Sequence, residues 1–251
     1  MAIDPRPNTY AAHAQGRAVP SAEMDEGLRA YMLRVYNYMA TGLAISGLVA
    51  WIVANVPAAT QIFYTVQQGQ VVGLNGLGMI AMWAPLVMLL FAAFAMRSVT
   101  ASKAQIFYWA FVTINGVGLS ILLMVYTGES VVRTFFITAA AFGALSLYGY
   151  TTKKDLTGFG SFLIMGLFGL LLAMVVNIFF PSDMMTFIIS VAGVLIFAGL
   201  IAYYTQSIKL QYSENMGQEA ETITAVFGAL SLYIAFINLF QFLLMFLGQR
   251  E

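Results

Sequence analysis

Seven long apolar runs dominate the sequence. A bilayer core of about 30 Å needs roughly 20 apolar residues in a helix, and each run reaches that length. Backbone polar groups find no water in hydrocarbon, so such runs are expected to be helical. The chain is therefore predicted to be an all-α, polytopic membrane helix bundle with seven transmembrane helices. The runs lie near residues 33–54, 77–96, 104–126, 131–152, 160–180, 185–206 and 224–247.

Composition agrees with a membrane protein. Of the 251 residues, 61% are hydrophobic and 9% are charged, whereas a soluble domain carries roughly a quarter charged residues. The 11 basic and 11 acidic residues leave a net charge of zero. We therefore expect the lipid bilayer as a partner, and not nucleic acid.

A polar segment precedes the first run. Residues 1–30 contain proline, alanine and charged residues, and they lack the apolar stretch of a signal peptide. We predict a flexible cytoplasmic tail over residues 1–30 and a single transmembrane domain over residues 31–251.

The basic residues predict the orientation of the chain. Those in the tail and in the loops after the second, fourth and sixth runs outnumber those on the opposite side, so the positive-inside rule places the N-terminus in the cytoplasm and the C-terminus in the periplasm. The larger group is Arg6, Arg17, Arg29, Arg34, Arg97, Lys103, Lys153, Lys154 and Lys209, and the smaller is Arg133 and Arg250.

The segment from residue 55 to residue 76 is the longest predicted outer loop. It carries no charged residue and several apolar ones. We expect it to lie in the membrane interface, with an external plug as the alternative.

The residue types needed for catalysis or metal binding are scarce. The chain has no Cys, its single His is His13 in the tail, and all eleven carboxylates fall in predicted tails or loops. An ionisable group inside a span is the usual mark of an ion path, and an enzyme needs acid, base or nucleophile groups in a shared cleft. The sequence therefore predicts no enzyme, and no catalytic, cofactor or metal site.

Small residues four positions apart recur within the runs, and small residues let membrane helices approach closely. They predict helix contacts. The pairs are Gly42 with Ser46, Gly116 with Ser120, Ala139 with Gly143, Ala198 with Ala202, and Ala225 with Ala229.

Uncharged polar residues gather in the last two runs. Such groups either hydrogen-bond between helices or line a pathway, and both readings stay open. The residues are Tyr203, Tyr204, Thr205 and Gln206 in the sixth run and Asn238 and Gln241 in the seventh.

Three segments resemble bacterial members of the Bax inhibitor, or transmembrane Bax inhibitor motif, family. They are residues 146–156 (SLYGYTTKKDL), 202–209 (AYYTQSIK) and 231–240 (SLYIAFINLF). The resemblance covers roughly residues 28–248. It implies a seven-helix bundle with the last helix central, a bacterial inner-membrane location, a role in stress response and the slow, pH-sensitive calcium leak attributed to some members.

The sequence departs from the family pattern at two positions. In those members two aspartates share a proton and close the pathway, as two carboxylates in one low-dielectric site can. The matching positions here are Tyr204 and Ala235. Either Tyr204 fills the space and bonds Asn238 or a backbone carbonyl, which would seal the core, or hydroxyls and carbonyls line an uncharged route.

The resemblance therefore implies one of two functions. The first is a conduction path for calcium or another cation, with weakened or lost pH gating. The second is a non-conducting regulator or scaffold that binds other membrane proteins, such as a membrane protease.

Overall fold

The computed structural model describes residues 21–95 and 99–249, with side chains over 26–92 and 99–249. Helices make up almost all of this part of the chain, and a short hairpin of two strands interrupts them. In chain order the elements are α1 Ser21–Asn55, α2 Pro57–Phe63, β1 Tyr64–Gln67, β2 Gln70–Leu74, α3 Gly76–Ala95, α4 Ala101–Val125, α5 Gly128–Thr151, α6 Thr157–Phe179, α7 Asp183–Gln211 and α8 Gln218–Leu247.

Each apolar run forms one helix. Six helices, α1 and α4 to α8, are long and apolar enough to cross a membrane. The corresponding stretch of α3, Gly76–Ala92, is shorter. The helical bundle is thus confirmed, while the seventh span stays a prediction.

Hydroxyl side chains begin three of the helices. Thr100, Thr127 and Ser182 precede α4, α5 and α7, and each side chain accepts a hydrogen bond from a backbone N–H in the first turn. This satisfies one of the N–H groups that a helix leaves free at its start. The sharp turn at residues 181–183 between α6 and α7 therefore follows from its sequence.

The predicted tail lies mostly outside the described residues. Residues 1–20 are not described, and α1 begins at Ser21. The helix therefore takes in residues 21–30, which the sequence assigned to the tail. Acidic residues are common at this start, and negative charge near a helix N-terminus is favourable.

The segment between α1 and α3 is folded. After α2, strands β1 and β2 pair antiparallel around Gln68 and Gly69, whose φ angles are 52° and 80°. Two left-handed residues are what a tight hairpin turn requires. The Tyr64 hydroxyl bonds Ser120 on α4 at 2.9 Å, which ties the hairpin to the bundle.

Helix α8 lies at the centre of the bundle. It contacts α1, α4, α5 and α7. In its most apolar window 61% of residues are buried, against 11–33% in the other five long apolar helices. This is the arrangement that the resemblance implied.

The C-terminal end of α8 is joined to the start of α5. The Thr127 N–H donates to the Gln249 carbonyl at 3.0 Å, and the Gln249 N–H donates to the Ser130 hydroxyl at 3.0 Å. The central helix is therefore held at its end as well as along its sides.

Small residues do mark several helix contacts. A side chain at Gly42 would overlap the Tyr108 hydroxyl, and a Cβ at Gly116 would lie 2.8 Å from the Ser46 carbonyl oxygen. Ala225 and Ala229 are fully buried in α8. Gly143 is different, since a Cβ there would meet nothing within 4 Å. The predicted close contact at Gly143 is wrong, because this side of α5 faces open space.

Candidate functional site

The positions matching the family's acidic pair line one cavity. It has a volume of about 370 Å³ and lies between α3, α6, α7 and α8. Its polar lining is Tyr204 on α7 with Ser231, Asn238 and Gln241 on α8, and Ala235 lies among them. The structure therefore brings Tyr204, Ala235 and Asn238 together, as the motifs suggested.

The rest of the cavity wall is apolar. Leucines of α3 and α6, with phenylalanines of α7 and α8, surround the polar groups. No acidic, basic or His residue lines the cavity in the described part of the chain. It is a neutral pocket with a polar strip along α8.

Tyr204 does not seal this cavity by a hydrogen bond to Asn238. The Asn238 side-chain amide donates instead to the Ile234 carbonyl of its own helix at 2.8 Å. Within residues 26–92 and 99–249 no hydrogen bond forms to the Tyr204 hydroxyl. The hydrogen bond on which the sealed-core alternative depended is therefore absent from the described part of the chain.

Thr205 points away from the cavity. Its hydroxyl donates to the Ile201 carbonyl at 2.8 Å and lies 3.1 Å from the Ser146 hydroxyl on α5. The Tyr36 hydroxyl on α1 bonds the same Ser146 at 2.6 Å. This chain of hydroxyls joins three helices, so Thr205 has a structural role.

Gln206 holds the connection between α5 and α6. Its side-chain oxygen accepts from the Leu156 N–H and its amide donates to the Lys154 carbonyl, both at 2.8 Å. Both ends of the amide are thus satisfied by one loop. The role of Gln206 is therefore to hold this loop at the end of the bundle.

Tyr203 packs at a helix crossing. Its ring lies against Gly160 on α6, where a Cβ would not fit. The ring also lies 5.5 Å from that of Tyr204, centroid to centroid. Tyr203 therefore supports Tyr204 from outside the cavity.

A second polar cluster at the bundle centre was not predicted. The Tyr233 hydroxyl bonds Ser46 on α1 at 2.6 Å and accepts from the Asn115 amide on α4 at 3.0 Å. The Ser46 hydroxyl also lies 2.8 Å from the Val112 carbonyl oxygen of α4, as a donor to it. Two features of the sequence could have indicated this cluster. They are Ser46, which is paired with Gly42, and Asn115, which is a polar residue within an apolar run.

The described carboxylates lie at helix ends or in loops. Asp155 is exposed between α5 and α6. Hydrogen bonds from the Thr157 side chain and then from its N–H lower the pKa of this carboxyl. Among the described residues, no group of three or more His, Asp or Glu side chains could hold a metal ion.

The chain is similar to a set of bacterial proteins. The family described as "Inhibitor of apoptosis-promoting Bax1" matches residues 28–251. An uncharacterised protein of Caulobacter vibrioides is 53% identical over 237 residues, which cover 92% of this chain and 95% of that protein. The inner membrane protein YbhL of Escherichia coli is 38% identical over 232 residues, covering 90% and 94%.

Proposed function

Because the chain belongs to the family described as inhibitor of apoptosis-promoting Bax1, we propose that it forms a slow leak for calcium or another cation across the bacterial inner membrane. The leak is weaker than in members that carry the acidic pair, and it does not respond to physiological pH. The relative YbhL is named as an inner membrane protein, which supports the location. The proposed role is not enzymatic.

The cavity at Tyr204 and Ala235 is the observation that carries this proposal. Tyr204 lines it, and the Tyr204 hydroxyl has no protein partner among the described residues. A polar group surrounded by hydrocarbon is costly unless it is hydrogen-bonded. Water is the available partner, and a cavity of about 370 Å³ with a polar strip along α8 has room for several molecules. Water bound there would favour a conducting path over dry packing.

The lining supports the proposed lack of pH gating. Among the described residues that line the cavity, tyrosine is the only titratable type, and a tyrosine hydroxyl ordinarily ionises only near pH 10. None of these described lining groups is expected to change charge between pH 5 and pH 8. Hydroxyl and amide oxygens attract a cation less strongly than carboxylates do, which accounts for a weak leak.

Flux through purified protein in liposomes tests the proposal. With a calcium indicator enclosed, we expect calcium entry above that of protein-free vesicles, at equal rates at pH 6 and pH 8. Entry no faster than in empty vesicles would refute the leak.

Restoring the acids tests the origin of the missing pH response. The double substitution Tyr204→Asp with Ala235→Asp should make the flux depend on pH, because two nearby carboxylates share a proton. The matched control, Tyr204→Asn with Ala235→Asn, has nearly the same shape but does not titrate, and should leave the flux independent of pH. Identical pH profiles for the two pairs would count against the assignment.

A regulator of other membrane proteins is the second candidate. Thr205 and Gln206 favour this role, because these two motif residues hydrogen-bond to other parts of the bundle and do not line the cavity. In that case crosslinking in native membranes should join the chain to a specific membrane protein, such as a protease, and liposomes should show no flux. Recovery of the chain alone would contradict this role.

We further propose that α3 is the seventh span, so that the N-terminus is cytoplasmic and the C-terminus periplasmic. The distribution of Lys and Arg supports this orientation. The chain has no Cys, so Gln249→Cys and Lys153→Cys each give a single labelling site. A membrane-impermeant maleimide added to spheroplasts should label the first and not the second. Labelling of both, or of neither, would contradict this topology.

A further inference from the structure

A groove opens between α1 and α5 at the end of the bundle where α1 begins. Its volume is about 550 Å³. Met32 and Leu33 of α1 and Phe142 and Leu147 of α5 form apolar walls. The Tyr36 hydroxyl crosses the groove to Ser146 at 2.6 Å. This side-chain bridge joins the two helices where their backbones stay apart.

The same seam continues toward the other end of the bundle. A second cavity of about 250 Å³ is lined by Leu43 and Ala50 of α1 and by Phe135 of α5, with Phe236 of α8 as its floor. From residue 29 to residue 50 of α1, the helical rise covers about 30 Å, which matches the hydrocarbon thickness of a bilayer. We call these two cavities, which follow one another along α1 and α5 and have mainly apolar walls, the slot.

Glycines widen the slot. Gly143 lines the first cavity and Gly47 the second. A Cβ at either would meet nothing within 4 Å. At a close helix contact, the facing helix occupies the space beside a glycine. Here that space is open and can take another molecule.

Charge at the mouth of the groove selects that occupant. Arg29 lines the mouth and is exposed. Lys209 lies nearby, donating to the Tyr150 carbonyl at 2.8 Å and lying 4.9 Å from the centre of the Tyr150 ring. No acidic residue lines the groove in the described part of the chain. Arginine binds phosphate oxygens well, and basic pockets between membrane helices bind anionic headgroups.

We propose that the seam between α1 and α5 binds an anionic phospholipid. Its acyl chains lie along the apolar slot past Gly143, and its headgroup phosphate lies at Arg29. The lipid comes from the leaflet on the side where α1 begins. This site is separate from the cavity at Tyr204, and its occupancy is independent of any flux.

Native mass spectrometry of the full chain in detergent tests the headgroup. Phosphatidylglycerol should bind more tightly than phosphatidylcholine. Arg29→Gln should weaken phosphatidylglycerol binding about fivefold, the effect of one basic residue near an anionic headgroup. Lys153→Gln is the matched control, since it removes the same charge at the same end of the bundle but outside the groove, and it should bind as the unchanged chain does. Equal binding of the two lipids, or equal losses in both variants, would overturn the proposal.

Filling the slot tests the position of the acyl chains. Gly143→Leu should abolish most of the phosphatidylglycerol binding, and because the position faces open space the variant should still fold. Gly169→Leu is the control: Gly169 is exposed on α6 and also has nothing within 4 Å of a Cβ. Binding that survives Gly143→Leu refutes the site. A dimer of the unchanged chain that Gly143→Leu dissolves would assign the seam to a second copy and also refute it.

Discussion

A methyl group at Gly116 should destabilise the bundle, and the structure gives the size of the effect. In Gly116→Ala the new Cβ would lie 2.8 Å from the Ser46 carbonyl oxygen and 2.9 Å from the Val49 Cβ, where ordinary contact begins at 3.4 Å. The nearest obstacle is backbone, so α1 and α4 must separate by about half an ångström. That movement also stretches the Ser46 bonds to Val112 and Tyr233.

The expected cost follows from two opposing terms. Overpacking a tight contact costs about 1–3 kcal/mol, and alanine in place of glycine in a helix returns about 0.5–1 kcal/mol. We expect Gly116→Ala to lower the free energy of unfolding by about 1–2 kcal/mol, which is a factor of about 5–30 in the ratio of folded to unfolded protein.

Reversible unfolding in mixed micelles with increasing dodecyl sulfate measures this difference. Gly118→Ala is the matched control on the same helix, because a Cβ there meets nothing within 4 Å. It should be as stable as the unchanged chain or slightly more stable. If Gly116→Ala is as stable as Gly118→Ala, the close approach of α1 and α4 is refuted.

Two further substitutions test the hydrogen bonds by the same unfolding assay. Tyr233→Phe removes the hydroxyl that bonds both Ser46 and Asn115. Because an average hydrogen bond between membrane helices contributes roughly 0.6 kcal/mol, losing two should lower the free energy of unfolding by about 1 kcal/mol. An unchanged midpoint would show that the cluster adds no stability. Gln206→Ala leaves the buried Leu156 N–H without its acceptor and should lower the free energy of unfolding by about 1–3 kcal/mol. A decrease below about 0.5 kcal/mol would mean that water replaces the amide.

The helices could be predicted from the sequence because the length of an apolar run is a direct physical measure. The predicted 104–126 run lies close to α4, Ala101–Val125. The main differences are at polar ends: α7 continues to Gln211 and α8 begins at Gln218, beyond the runs at 185–206 and 224–247. Hydrophobicity marks where hydrocarbon ends, and a helix can continue past that point into water.

The hairpin and the site were harder to predict. The turn at Gln68 and Gly69 lacks the Asn-Gly or Asp-Gly pair that signals a hairpin. Neighbouring positions on a helix point in different directions, so Tyr204 could not share its cavity with Thr205 and Gln206. Sequence identified the stretch of α7, but only the packing of its neighbours decides which side chain faces the cavity.

The central position of α8 has a consequence for biosynthesis. This helix follows the other seven in the chain, so the ribosome delivers it after them. Until it arrives, Ser46 on α1 and Asn115 on α4 lack the Tyr233 hydroxyl that both of them bond. A translation product halted before residue 218 would thus lack the helix that α1, α4, α5 and α7 all contact.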